Sequence, residues 1–294
     1  MTTTAVSAVG VAGAGFMGSG IAEAVARAGV RVTLYEPEAR ALARSRDRVD
    51  RSVARAVHGG KLSPEHAVQL VERIVWTTEL DELADAEVMV EAIVEDLDAK
   101  RELFTRLDAV APAARILASN TSSIPIASLA AATNRPERVC GLHFFSPVPV
   151  MSLVEVVVGL DTSLATIAAA DEFAAQLGKT TIRTKDRAGF IVNLLLTPYL
   201  MAAVRMLEDG FATREDIDNG MRLGCGHPMG PLELCDFIGL DVLAAICDSL
   251  YDEFKRPDYA APALLKRMIA AGRLGRKSGR GFYDYASERA PVAA

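Results

Sequence analysis

The stretch "SAVGVAGAGFMGSGIA" constrains this chain more than any other, because it runs an apolar strand into a tight glycine turn and directly on into a helix. Gly13, Gly15 and Gly18 stand in GxGxxG spacing, with Phe16 and Met17 between the last two. The first glycine permits the turn, the second lets backbone approach a pyrophosphate, and the third lets the helix pack close to the strand. The helix N-terminus then faces the phosphates. Such a turn also occurs without any ligand, so the flanking sequence matters. Glu36 ends the next strand, eighteen residues past Gly18, where an acidic group binds ribose hydroxyls. A carboxylate there repels a 2′-phosphate and favours NAD over NADP; the nearby Arg40 tempers that preference.

The first half alternates β-like runs with helical patterns: "SAVGVAG" at 7–13, "VRVTLYE" at 30–36, "EVMVEAI" at 87–93, "RILASN" at 115–120 and "RVCGLHFF" at 138–145. Apolar runs separated by helices indicate a parallel sheet covered on both faces, hence an α/β, Rossmann-like doubly wound fold. Two more strands, "LVEVVVG" at 153–159 and "TTIRTKD" at 180–186, flank a helix over 163–177. Beyond Arg187 the β signals stop and helices are expected over 190–209, 213–222, 231–253 and 258–271. The expected division is therefore a dinucleotide-binding domain over 1–187 and an all-α domain over 188–294, with a disordered Ala-rich tail from Ser287.

Composition excludes several classes. A net charge of −6 over 294 residues argues against nucleic acid as a partner. The apolar N-terminal run has no Lys or Arg ahead of it, unlike a signal peptide, and the run 188–204 is shorter than the ~20 residues of a spanning helix. A membrane partner is not expected. Cys140, Cys225, Cys235 and Cys247 form no metal-like spacing with the four histidines, so they read as isolated buried thiols in a reducing, cytoplasmic protein without bound metal.

Chemistry is suggested by polar residues in apolar surroundings. His143 lies at the C-terminal end of the strand 138–145, where open α/β sheets bind ligands. Alone, a histidine beside two phenylalanines is more often a satisfied core residue. Glu155 falls in the following strand, and a turn at "SPVPVM" can fold that strand back so that the carboxylate reaches the imidazole. A carboxylate on one ring nitrogen raises the basicity of the other, giving a general base for alcohol oxidation. "ASNTSS" at 118–123 is either a ligand-binding loop or a plain turn and helix cap. Asn193, within "GFIVNLLLTPYL", is either a ligand contact or a helix–helix hydrogen bond. Spacing alone does not assemble these four residues.

Seven segments in order, "GAGFMGSGIA", "VEAIVEDLDAKRELF", "ASNTSSIPI", "GLHFFSPVPVMSLVEVV", "DRAGFIVNLLLTPYL", "GHPMGPLELCDFIGLD" and "GRKSGRGFYDY", closely resemble the L-3-hydroxyacyl-CoA dehydrogenases, especially bacterial 3-hydroxybutyryl-CoA dehydrogenases. The resemblance runs from about residue 6 to 285. It implies an NAD-binding domain followed by a helical domain that forms a homodimer and closes the site over an acyl-CoA substrate. By motif position, His143 matches the general base and Glu155 its partner carboxylate. Ser122 matches the serine touching the reacting oxygen near the nicotinamide, and Asn193 the asparagine that positions the substrate. Glu95, Lys100 and Lys277 match cofactor contacts.

Two departures from the family pattern stand out. Position 146 is Ser where many members carry Asn beside the cofactor, which implies tuned affinity with function retained. On the helical arm after the second strand, Ser52 matches a CoA contact, but Gly59 and Gly60 occupy the region of the family's lysine, leaving Arg55 or Lys61 to replace it. The arm carries six arginines between residues 40 and 55, most of which suit a solvated face. Rival expectations are a dehydrogenase of a free hydroxy acid such as L-gulonate, and a non-catalytic NAD-binding protein on the same scaffold.

Overall fold

The computed structural model describes residues 5–285, and the Ala-rich tail lies outside them. The chain divides between Arg187 and Ala188 into two compact units.

The first unit is built around one eight-stranded sheet. Its elements run β1 (Ala8–Ala12), α1 (Phe16–Arg27), β2 (Arg31–Tyr35), α2 (Ala39–His58), α3 (Pro64–Glu72), β3 (Ile74–Thr77), β4 (Val88–Glu91), α4 (Leu97–Val110), β5 (Ile116–Ser119), α5 (Ile126–Ala130), β6 (Val139–Phe144), β7 (Leu153–Val158), α6 (Leu164–Gln176) and β8 (Thr180–Lys185). The strand order is β3-β2-β1-β4-β5-β6-β7-β8. Its first six strands have the order of a doubly wound dinucleotide-binding sheet.

Every residue of β1, β4, β5 and β6 is buried. Successive strand residues point to opposite faces, so these strands are covered on both sides, which is why they read as unbroken apolar runs. Val9, Val11, Val90, Ile116 and Leu142 join Ile21, Val25 and Phe173 from α1 and α6 in one core.

One feature departs from the sequence reading. The strand β3 has no counterpart there: it lies at the sheet's edge, its two middle residues face solvent at least in part, and it shows no long apolar run. The turn at "SPVPVM" does fold the next strand back: β7 runs antiparallel to β6, and β8 resumes parallel to β7. A short turn over 145–152 connects β6 to β7, too short for the crossover a parallel pair requires.

The second unit is helical: α7 (Val192–Glu208), α8 (Arg214–Cys225), α9 (Pro231–Ile238), α10 (Leu240–Phe254) and α11 (Ala263–Ala270). Leu200, Val204, Leu232, Leu243 and Leu265 form its core. The single helix expected over 231–253 is two, because Gly239 adopts φ +104° and breaks the ladder. The helix expected from 258 begins only after Pro262. Asp236 of α9 accepts hydrogen bonds from the backbone N–H groups of Phe282 and Tyr283, each 2.9 Å, and from the Tyr285 hydroxyl at 3.1 Å. A side chain at Gly281 would overlap the Asp236 carboxylate, which explains the glycine in "GRGFYDY". Burial pushes the Asp236 carboxyl above its ordinary range against these hydrogen bonds.

Cys140, Cys235 and Cys247 are buried thiols, and burial pushes Cys140 and Cys247 up to about 12. Cys225, expected to be buried with them, is exposed at the end of α8, on that helix's solvent-facing last turn. No helix among the described residues is long and apolar enough to cross a membrane.

Candidate active site

The glycine loop leaves β1 and enters α1 with three different local requirements. Gly13 adopts φ +108°, and a Cβ there would stand 2.5 Å from the Ala92 carbonyl oxygen. A Cβ on Gly18 would overlap the Gly13 carbonyl oxygen. Both glycines are therefore required by the protein's own packing. Gly15 is different: its φ of −69° suits any residue, and the nearest atom to an added Cβ is 4.0 Å away. Neither conformation nor packing demands glycine there, so the cleared space fits the close approach of a pyrophosphate. Gly15 is also the N-cap of α1 and supplies no side-chain cap, which leaves the first N–H groups of the helix, at Phe16 and Met17, suited to an anion. Phe16 is exposed and Met17 half-buried.

Glu36 sits beside this loop. Its Oε2 accepts from the Ala14 N–H at 3.1 Å, and its Oε1 accepts from the Glu38 N–H at 3.3 Å. Arg48, on α2, was not singled out in the sequence. Its Nη1 donates to Ser19 Oγ at 2.6 Å and lies 3.3 Å from the Gly15 carbonyl oxygen, bracing the glycine loop from behind. The signal was obscured because Arg48 stands among five other arginines of the same segment.

His143 and Glu155 are direct partners across the antiparallel β6–β7 pair. Facing residues of such a pair project to the same side of the sheet. His143 Nδ1 is 2.7 Å from Glu155 Oε2, the imidazole is nearly buried and the carboxylate wholly so. Phe145 packs edge-on against the imidazole with centroids 4.6 Å apart. A carboxylate accepts only, so the hydrogen bond puts the Nδ1 proton on His143 and leaves basicity at Nε2.

The turn that brings Glu155 back is held by Lys179. This nearly buried lysine donates from Nζ to the carbonyl oxygens of Val148 at 2.7 Å and Met151 at 2.8 Å. Burial and the neighbouring Arg27 charge lower its pKa. Ser146 is exposed on this turn, two residues past the end of β6.

The loop after β5 carries Ser122, whose N–H donates to Glu95 Oε1 at 3.1 Å. Thr121 Oγ1 also donates to Glu95, as does Ser123 Oγ at 3.0 Å. Burial works to raise the Glu95 carboxyl, but the Lys100 ammonium 3.1 Å away and these donors outweigh it and hold the carboxyl below its ordinary range. Lys100 is itself only 1% exposed and pairs at 2.6 Å with Glu91, a residue the sequence reading passed over.

The remaining sequence-derived residues occupy other surfaces. Ser52 is half-buried and Arg55 exposed on α2, and Lys61 is exposed just past its end. Asn193 and Lys277 belong to the second unit. Asn193 is half-buried in the first turn of α7, and Lys277 is exposed and ion-paired with Asp241 at 2.5 Å.

Comparison with known proteins places the chain in a family. The family model for the NAD binding domain of 3-hydroxyacyl-CoA dehydrogenase matches residues 8–187, and that for its C-terminal domain matches residues 189–285. A 3-hydroxybutyryl-CoA dehydrogenase of Mycobacterium tuberculosis is 52% identical over 284 residues, covering 96% of this chain and 99% of the relative. The crystal structure of M. tuberculosis FadB2 superposes with a TM-score of 0.93 at 52% identity, over 96% of this chain and 100% of that one. That of the (S)-3-hydroxybutyryl-CoA dehydrogenase PaaH1 from Ralstonia eutropha gives 0.88 at 43% identity, over 96% and 99%. With both domain models matched in order along the same sheet and helices that carry the glycine loop and the His143–Glu155 pair, the chain belongs to the 3-hydroxyacyl-CoA dehydrogenase family.

Proposed function

We propose that this chain oxidises (S)-3-hydroxyacyl-CoA, with 3-hydroxybutyryl-CoA as the short-chain substrate, to 3-ketoacyl-CoA, and runs the reverse reduction. The observation that carries this reading is the buried His143–Glu155 hydrogen bond at the carboxyl end of β6 in a dinucleotide-binding sheet. The names of the M. tuberculosis and R. eutropha relatives support the short acyl chain.

NAD, when bound, supplies the hydride acceptor for the hydrogen on C3. Gly13, Gly15, Gly18 and the α1 N-terminus hold its pyrophosphate, and Glu36 binds the adenosine ribose hydroxyls. Glu95 and Ser146 line the cofactor side, and Lys100 acts there through Glu95. His143 Nε2 removes the proton of the 3-hydroxyl, and Glu155 stabilises the imidazolium that forms. In the reverse direction protonated His143 returns that proton to the oxygen of C3. Ser122 and Asn193 hydrogen-bond the reacting oxygen and the thioester oxygen, where negative charge develops in the transition state. Ser52, Arg55 and Lys61 contact CoA, and Lys277 completes the cofactor contacts.

The protein acts as a cytoplasmic homodimer joined through its second unit, where the apolar side chains of Leu195, Phe211 and Leu223 are exposed. Light scattering at the mass of one chain would refute the dimer. The catalytic reading is tested by NADH consumption with acetoacetyl-CoA beside free acetoacetate. Turnover of the CoA ester alone supports it; turnover of free acids alone replaces it with a hydroxy-acid dehydrogenase, and NADH binding without any turnover leaves a non-catalytic binding protein.

A further inference from the structure

Glu91 ends β4 between β1 and β5, with its side chain 0% exposed. A carboxylate in that position is prohibitive unless it is paired and hydrogen-bonded. It is satisfied three times: Lys100 Nζ donates at 2.6 Å, Ser119 Oγ at 2.6 Å and the Ile93 N–H at 2.7 Å. Lys100 reaches it from the first turn of α4, which Asp96 caps by accepting from the Ala99 N–H at 2.9 Å. An apolar pair of similar volume often stabilises a fold at least as well. The charged pair does something an apolar pair does not: it aims donors and acceptors at both neighbouring loops.

The same Lys100 ammonium reaches Glu95, which collects the Ser122 N–H, the Ser123 hydroxyl and the Thr121 hydroxyl. Ser119 Oγ, while donating to Glu91, accepts from the Thr121 N–H at 3.1 Å. The Glu91 carbonyl oxygen accepts from the Asn120 N–H at 2.8 Å, and Asn120 Oδ1 accepts from the N–H of Phe144, next to His143, at 2.9 Å. The buried ion pair thus connects the loop after β4 with the loop after β5, and that second loop reaches the end of β6 through Asn120.

We infer that Glu91 is a positioning residue for the reaction, holding through Lys100 and Ser119 the loop that presents Ser122. The inference rests on the proposed reading of Ser122 and His143 as groups at the reacting oxygen. With Glu91 uncharged, Lys100 is attracted by Glu95 alone, and Glu95 is drawn off the Ser122 N–H.

The test is a double-mutant cycle of Glu91→Gln and Ser122→Ala, read in kcat and KM for acetoacetyl-CoA with saturating NADH. Glu91→Gln is expected to lower kcat by about tenfold or more with KM within about twofold, and the loss caused by Ser122→Ala is expected to shrink by about tenfold in the Glu91→Gln background. A purely structural role would lower melting temperature without that coupling. Unchanged kcat in folded Glu91→Gln, or independent multiplication of the two losses, overturns the inference. If Glu91→Gln fails to fold, Ser119→Ala takes its place in the same cycle, with a smaller kcat loss, the same coupling and the same grounds for rejection. If Ser122→Ala alone is silent, the reading of Ser122 falls. Glu91 is then judged on kcat alone, since the same loop holds Phe144 beside His143 through Asn120.

Discussion

His143 Nδ1 stands 2.7 Å from Glu155 Oε2 because the two residues face each other across antiparallel strands, so the register brings both side chains to one face of the sheet. Replacing Glu155 with Gln keeps the shape but lets an amide N–H donate to Nδ1, which moves the imidazole proton to Nε2, the nitrogen needed as base. The expected result is a kcat loss of roughly 10²-fold, with His143→Gln losing roughly 10² to 10⁴-fold. NADH binding, followed by fluorescence, should be retained in both. A near-normal rate in His143→Gln removes His143 from the mechanism.

The glycine loop separates two effects that are usually confounded. Gly18→Ala drives a methyl into the Gly13 carbonyl and should distort the loop, lowering the melting temperature along with NADH affinity. Gly15→Ala meets no protein atom and keeps an allowed φ, so its melting temperature should match the wild type while NADH affinity falls about tenfold or more. Equal NADH affinity in Gly15→Ala would mean that no phosphate approaches that space.

How much of this was legible depends on whether the signal was local. The doubly wound sheet reads directly from buried strands that are apolar throughout, and the reach of Glu155 to His143 reads from a reversing turn between two strands. The edge strand β3 does not, because Val75 is exposed and Trp76 half-buried, so its four residues resemble a helix end. Gly239 was visible in "FIGLD", but only its positive φ turns one helix into two. The buried pairing of Glu91 with Lys100 was the least legible. Charged side chains are rarely buried, and only the three-dimensional convergence of two loops makes their burial possible. The available hint was the carboxylate inside the apolar run "VMVEAI".

Glu36 should govern cofactor choice. Glu36→Gln retains an oxygen for the Ala14 N–H but removes the charge that repels a 2′-phosphate. The ratio of kcat/KM for NADH over NADPH should fall by about tenfold, most of it through a lower KM for NADPH. A ratio unchanged by the substitution would assign the preference elsewhere on the loop.

Asp108 links acid stability to the connection between β5 and β6. Its Oδ1 accepts from Arg135 Nε at 2.6 Å and its Oδ2 from the Asn134 N–H at 2.8 Å. The same guanidinium donates to the Asp108 and Ala111 carbonyl oxygens at the end of α4, satisfying groups the helix leaves without an internal partner. Burial works to raise the Asp108 carboxyl, but the Asn134 N–H and the Arg135 guanidinium outweigh it and hold it below its ordinary value. A carboxyl lowered by folding contributes stability that is fully present above its unfolded value, about 3.9, and is lost as pH falls through the lower folded value. Asp108→Asn should therefore cost about 2 kcal/mol at pH 7 and nearly the same at pH 5. Its deficit against the wild type should narrow below about pH 4, as the wild-type carboxyl takes up its proton. Urea midpoints of both proteins across that range give the comparison; a deficit that stays constant to the acid limit would mean that the ionised carboxylate is not what holds Arg135.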